Sequence, residues 1–277
     1  MADGPPGAYP RATWRLLVDG LADGASNMAI DQAIMEAVVA GNRRPTLRFY
    51  GWSPPCLSLG RNQPLADVDL AACRAMGIDV VRRPSGGRAI LHTDELTYAV
   101  MMLQDDPRSE GGVLASYRRL SRGLLAGLRC LGVDAIQASG QNKGEPTAIC
   151  FETPSDYEIT VGGRKLVGSA QWRAQGGVLQ HGSLPLYGDL ARIVACLALT
   201  PEVRAWQRSC LQNRALTLEA ARGRPVTFEE TVQALAEGFA QALNLSLAEG
   251  ELSAPERASA AAWRRTRYAA PAWTERP

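Results

Sequence analysis

Histidine is scarce in this chain, with only His92 and His181, and the six cysteines (Cys56, Cys73, Cys130, Cys150, Cys196 and Cys210) never fall into a CxxC pair. That spacing is wrong for a zinc site, so no metal is expected. The first residues, MADGPPGAYPRATW, contain no apolar run of signal-peptide length, and no stretch reaches the roughly 20 apolar residues of a membrane span. A soluble, cytoplasmic protein with free thiols and no membrane contact is the expectation. An excess of one charge is also missing: 30 Lys+Arg stand against 28 Asp+Glu, for a net +2. A wholesale nucleic-acid coat is therefore excluded, and no nucleic-acid partner is expected. GxGxxG and Walker motifs, internal repeats and low-complexity tracts are absent too, which leaves a Rossmann or P-loop assignment without support.

The 277 residues suffice for one large domain. Residues 1–13 read as a flexible Pro/Gly leader, and 14–277 as a single domain whose pattern turns mostly helical from about 188. A helix is expected over Asn27–Ala40, capped by Ser26 or Asn27 and stopped by Gly41. TLRFYGW and CLSLG are short strands split by the turn at Ser53–Pro55. A helix over Asp67–Met76 leads to a strand over Ile78–Arg83, ELTYAVMML is a buried strand, and Ser116–Leu131 is a helix with a basic outer face. VLQHGSLPLY is a further strand, followed by helices at Asp189–Leu199, Phe228–Leu243 and Ala254–Arg265. Strands mixed with helices and then a helical tail predict an α/β (α+β) fold.

Cys150 precedes Lys165 by fifteen residues, and the segment between them contains a hairpin. Gly162-Gly163 separates Tyr157–Val161 from Arg164–Gln171, and primed two-residue turns need the positive φ that glycine supplies. The expected register sets Val161 opposite Arg164, Thr160 opposite Lys165 and Ile159 opposite Leu166. Lys165 then shares a polar face with Glu158, Thr160 and Ser169 and is available to a cleft. A thiol and an amine together are the parts of an acyl-transfer site. Most of the other cysteines, Cys130 and Cys196 among them, read as core filler.

In RRPSGGRAILH, the small residues Ser85, Gly86 and Gly87 allow an anion-binding nest of backbone N–H groups, with Arg82, Arg83 and Arg88 adding charge. A plain glycine turn with solvent-facing arginines is the equal alternative. His92 follows this loop and precedes Asp94 and Glu95, which places it near any ligand held there. His181 either lines the same cleft or fixes a turn, the structural role being favoured. Trp52, Tyr98, Tyr157 and Trp172 are core aromatics by default, with an acyl tunnel as their other use.

Taken together, RRPSGGRAILH, DELTYAV, SDYEITVGGRKLVGSAQWR, LQHGSL and RYAAPAWTER resemble the biotin/lipoate-protein ligase and transferase family. The resemblance covers most of the chain with the motifs in order. It implies a mixed-sheet catalytic domain similar to biotin synthetases and lipoate-protein ligases. It further implies that the glycine loop bounds an acyl pocket, that Lys165 contacts the acyl carbonyl, and that Cys150 is the nucleophile of the octanoyltransferase branch. Arg83, Ser85, Gly86, Gly87, Arg88, His92 and Ser169 are then the expected substrate-binding residues. Arg88 stands where the ATP-using ligases usually carry a third glycine, and those ligases have no cysteine ahead of the hairpin. Both departures favour a thioester-using transferase that needs neither ATP nor metal.

The implied donor is octanoyl-acyl carrier protein, and the implied acceptor a lipoyl-domain lysine, foremost that of the glycine-cleavage H protein. The family expectation is a monomer. Such partners are usually acidic, and Arg82, Arg83, Arg118, Arg119 and Arg122 are candidates for a complementary surface, a solvated helix face being the competing reading of the last three. Lys165 has three open roles: favouring the thiolate, hydrogen-bonding the tetrahedral oxyanion, or taking a proton from the amine. The rival functions are an ATP-dependent lipoate or octanoate ligase, an amidotransferase between lipoyl domains, and a non-catalytic acyl-binding subunit.

Overall fold

A computed structural model describes residues 9–138 and 158–276. Its spine is an eight-stranded mixed sheet. In sequence order these strands are β1 (Ala12–Ala22), β2 (Thr46–Trp52), β6 (Glu95–Leu103), β7 (Ile136–Gln137), β8 (Ile159–Val161), β9 (Arg164–Ala174), β10 (Gly177–Pro185) and β11 (Leu245–Glu249). Their spatial order is β11-β1-β2-β6-β10-β9-β8-β7. β1 runs parallel to both β11 and β2, and the remaining neighbours are antiparallel. A second sheet, ordered β4-β3-β5, is made of β3 (Cys56–Leu59), β4 (Asp79–Arg82) and β5 (Ile90–His92).

The period-2 alternation of the strands builds two cores on opposite faces of the large sheet. On β6, Leu96, Tyr98, Val100 and Met102 face α3 (Val113–Cys130) and α6 (Phe228–Leu243), while Ala99 and Met101 face α1 (Gly24–Val39) and α7 (Ala254–Trp263). The small sheet packs its Leu57 and Leu59 against a 3₁₀ segment, Leu190–Cys196, and Leu211 of α4 (Pro201–Arg214). The short helices α2 (Leu70–Ala75), α5 (Leu218–Arg222) and α8 (Pro271–Thr274) complete the fold.

Several expectations need correction. α1 begins one turn earlier than Asn27, because Asp23 is the N-cap and accepts from the Ser26 backbone N–H at 2.9 Å. Gly24 permits that start, since a Cβ there would lie 2.5 Å from Cys56 Sγ on β3. The expected Asp67–Met76 helix is a 3₁₀ turn, Leu65–Asp67, followed by α2, which Asp69 caps. The mostly helical tail includes one strand: β11 leaves α6 through Asn244 in the left-handed region and becomes the sheet edge beside β1. The Asp189–Leu199 segment is 3₁₀ rather than α, and α4 and α5 were not anticipated. α7 ends earlier than Arg265 and continues as a π-turn over Arg264–Tyr268. Cys130 is exposed at the end of α3 rather than buried, whereas Cys56, Cys73 and Cys196 are buried.

α3 and α6 meet backbone to backbone. A Cβ on Gly238 would lie 2.1 Å from Gly127 N and 2.5 Å from Gly123 O, and one on Gly127 would lie 2.7 Å from Leu235 Cα. These atoms cannot yield as a flexible side chain would. Gly238→Ala is therefore expected to destabilise the protein by about 1–3 kcal/mol or more, despite its gain in helix propensity. Urea unfolding followed by circular dichroism checks this.

Candidate active site

The α1 face of the sheet carries a charge where apolar contact is the rule. Arg48, in the middle of β2, is wholly buried and donates from Nε to Asp19 Oδ2 at 2.6 Å and from Nη1 to Asp31 Oδ1 at 2.7 Å. Its remaining hydrogens reach Asn27 O and Oδ1 on α1. A register shift in β1 between Val18 and Leu21 accompanies the turn of Asp19 toward Arg48. Burial alone would raise the Asp31 pKa, but the Arg48 charge and the His181 hydrogen bond outweigh it and hold the carboxyl below the ordinary carboxylate range. Tyr50 donates to Asp31 Oδ2 at 2.9 Å, and burial followed by the Asp31 charge pushes that phenol well above its usual pKa.

Above this network lies a largely apolar cavity of about 90 Å³. Its wall includes Trp52 from β2, Ser58 from β3, His92 from β5, Ser169 from β9 and His181 from β10, with Gly87 of the glycine loop at one side. Each histidine bridges a serine and a carboxylate. His181 Nε2 lies 2.5 Å from Ser85 Oγ, and its Nδ1 lies 3.5 Å from Asp31 Oδ2. His92 Nε2 lies 2.8 Å from Ser58 Oγ, and its Nδ1 lies 3.3 Å from Glu95 Oε1. The Trp52 ring stacks on His92 at 3.9 Å and 13°, and its Nε1 donates to Thr97 Oγ1, which in turn donates to Glu95. Gly182 leaves the cavity its depth, because a Cβ there would lie 2.6 Å from Gly168 O and Ser169 Oγ.

The hairpin forms, with Gly162 at φ +55° and Gly163 at φ +76°. Its register agrees with expectation at Val161↔Arg164 and Thr160↔Lys165, but a bulge then pairs Ile159 with Val167 rather than Leu166. The extra residue admits both Leu166 and Val167 to the core. Lys165 does not line an open cleft. It is fully buried beneath the segment after α4, where Leu216 N donates to Lys165 O at 3.0 Å, and its Nζ is ion-paired with the Glu158 carboxylate. Glu158, not Lys165, lines the cavity.

Of the expected binding residues, Arg83, Gly87, His92 and Ser169 share this cavity. Ser85 stands one hydrogen bond behind it, through His181. Gly86 is exposed, and the half-buried Arg88 side chain is not among the lining. Arg83 is not solvent-facing: it is 3% exposed and clamps the glycine loop from within, donating to the carbonyls of Ser58, Gly86 and Arg88. Arg82 is equally buried, donating to Gly60 O, Gln63 O and Thr274 O. Neither arginine can form a docking surface. Arg118, Arg119 and Arg122 are half-buried, and Arg129 alone of the α3 arginines is exposed. Trp52 serves the cavity, Tyr98 is a core residue whose hydroxyl donates to Ser169 Oγ at 2.7 Å, and Trp172 packs on the α1 side. Cys150 and Tyr157 lie outside the described residues. Among the described residues no His/Cys/Asp/Glu cluster could hold a metal.

Asp31, Arg48, Ser58, Glu95 and Glu158 escaped the sequence reading as site residues. A usable signal existed for two of them: Asp31 interrupts the apolar face of AIDQAIM, and Arg48 sits inside the strand TLRFYGW. Arg48→Leu would leave Asp31 buried without its cation, and a loss of about 3–5 kcal/mol is expected by chemical denaturation. The folded pKa of Asp31 is depressed, so its contribution is present above about pH 4 and is lost as pH falls through the lowered value. Asp31→Asn should flatten that acid limb of the stability profile.

Residues 23–240 match the model of the lipoyl protein ligase A/B catalytic domain. An octanoyltransferase LipM of Kyrpidia tusciae is 46% identical over 256 residues, covering 90% of this chain and 93% of that one. A LipM of Symbiobacterium thermophilum is 45% identical over 272 residues, covering 95% and 98%. Among solved structures, the bi-partite lipoate protein ligase of Thermoplasma acidophilum superposes with a TM-score of 0.80 at 23% identity, covering 95% of this chain and 96% of that one. A lipoate-protein ligase A bound with ATP superposes with a TM-score of 0.77 at 24% identity, covering 96% and 99%. The last two establish the fold, and with the sequence matches they place the chain in the lipoyl protein ligase A/B catalytic domain family, beside the LipM octanoyltransferases.

Proposed function

We propose that this protein is an octanoyl-[acyl-carrier-protein]:protein N-octanoyltransferase of lipoate biosynthesis. The octanoyl group passes from acyl carrier protein to Cys150 and then to a lysine of a lipoyl domain such as that of the glycine-cleavage H protein. The observation that carries this reading is the likeness to octanoyltransferases named LipM over at least nine-tenths of the chain. An apolar cavity bounded by the glycine loop and by the Glu158 that pairs Lys165 adds geometric support.

In the first step the Cys150 thiolate attacks the thioester carbonyl and expels the phosphopantetheine thiol. In the second the acceptor amine attacks the octanoyl-enzyme, forming an amide and freeing Cys150. Thioester exchange is nearly isoenergetic and amide formation runs downhill, so neither ATP nor a metal is required. The ion pair with Glu158 favours the ammonium form of Lys165, which suits stabilisation of a thiolate or of the tetrahedral oxyanion. A buried, paired ammonium is ill suited to accept a proton. Cys56 is unsuited to that role, because burial pushes its thiol well above its ordinary pKa and leaves it a poor nucleophile.

Incubation with octanoyl-acyl carrier protein in the absence of ATP should give an octanoyl adduct by intact mass, labile to hydroxylamine and absent as a thioester from Cys150→Ser. A wild-type protein that modifies its acceptor only with ATP would sink the reading in favour of a ligase. Lys165→Ala should lower kcat by about 10²–10³-fold, and unchanged turnover would reduce Lys165 to scaffolding.

A further inference from the structure

Amide formation leaves one proton to be placed, and the acyl-transfer reading above, on which this inference rests, does not say where it goes. We infer that Ser58, His92 and Glu95 form the proton relay that takes it from the attacking amine. Ser58 Oγ lines the cavity, 2.8 Å from His92 Nε2, and the far nitrogen of that ring lies 3.3 Å from Glu95 Oε1. Arg83 Nη1 donates to Ser58 Oγ at 3.2 Å, which leaves the serine hydrogen free to point at Nε2. The stacked Trp52 ring fixes the plane of the imidazole.

The two serine–histidine–carboxylate series of this cavity differ in their electrostatics. Asp31, behind His181, is already neutralised by Arg48 and receives the Tyr50 hydroxyl. Glu95, behind His92, has no lysine or arginine partner among the described residues, and both its Oε2 and His92 Nδ1 are buried without a hydrogen bond. A 6% exposed carboxylate lacking a cation is the group that gains most when the neighbouring imidazole takes up a proton. The charged and titratable groups facing His92 are Glu95 from β6, Arg83 from the loop after β4 and His181 from β10. Burial, opposed by Glu95, lowers the His92 pKa below its ordinary value, so the ring is neutral and ready to accept a proton at pH 7.

Access is consistent with a cationic substrate. Trp52 and Glu95 also line a surface groove whose charged residues are Asp19, Asp94, Glu95, Glu229 and Glu249, with no lysine or arginine among them. Asp19 and Asp94 are already paired with Arg48 and Arg192, which leaves Glu229 and Glu249 as the groove's exposed acidic residues toward an incoming ammonium, whose first proton goes to solvent. The neutral amine nitrogen then attacks the acyl carbon. As the C–N bond forms, its proton moves to Ser58 Oγ while the serine proton moves to His92 Nε2. When the C–S bond breaks, the imidazolium gives up that proton and the departing thiolate takes one up, so that amide and thiol are the products.

The test separates the half-reactions for wild type, Ser58→Ala, His92→Gln and Glu95→Gln, using octanoyl-acyl carrier protein and an apo-lipoyl domain, with circular dichroism to select folded variants. In Ser58→Ala and His92→Gln the acyl-enzyme should accumulate by intact mass while its transfer to the lipoyl lysine slows by about 10²–10⁴-fold. For wild type, the log of the single-turnover transfer rate should gain one unit of slope below a pKa lying under about 6.5, and His92→Gln should lose that break. Transfer within threefold of wild type in Ser58→Ala, or a break that survives in His92→Gln, would overturn the relay. A wild type that transfers without any acyl-enzyme would instead refute the Cys150 step, and the variants' overall transfer rates would still decide the relay.

Discussion

Everything at the cavity hangs from one buried guanidinium. Arg48 takes carboxylates from both sides, Asp19 from a distorted stretch of β1 and Asp31 from α1, and its face lies 3.9 Å from the Tyr50 ring. Removing the Arg48 and Asp31 charges from water, with Asp19 only partly covered, is expensive, and the expense is recovered only when strand, helix and hydrogen bonds are all in place. The arrangement therefore ties the position of α1 to the register of β2. Because Asp31 also holds His181, and His181 holds Ser85, the same charge reaches the glycine loop through three successive polar contacts.

The loop is positioned from a second direction by Arg83 and from a third by Gly60, where any side chain would collide with Gly87 O. Arginines that on sequence seem to wait for an anion thus spend their hydrogen bonds on the protein's own carbonyls. A buried guanidinium with several carbonyl acceptors acts as a rigid template, which suits a loop bounding a preformed cavity better than one that must wrap a ligand.

Much of this was legible in advance where a pattern has one physical solution. Gly162-Gly163 between strand-like runs led to the hairpin, and the 3.6 period of Phe228–Leu243 yielded α6 with the expected ends. What failed depended on partners distant in sequence. Lys165 reads as exposed because the chain that covers it, Ala215–Leu216, comes fifty residues later. The hairpin register missed by one residue because the bulge answers to the core on the helix side, not to the turn. β11 is a five-residue strand of weak alternation that exists because β1 offers a free edge. The site followed the same rule: the loop and His92 are contiguous in sequence and were found, whereas Asp31, Arg48 and Ser58 converge only through the sheet.

That edge has a consequence for how the protein is made. β1 pairs with β11 across more than 230 residues, and Arg15 reaches on to Glu256, whose carboxyl it and Ser253 hold at a pKa of about 2. During synthesis the first strand emerges with one side unsatisfied and stays so until nearly the whole chain has left the ribosome. Closure of the large sheet is then a late, high-contact-order event. That late arrival completes β1 over Ala12–Leu16, the stretch that leads into Asp19 and the cavity's foundation.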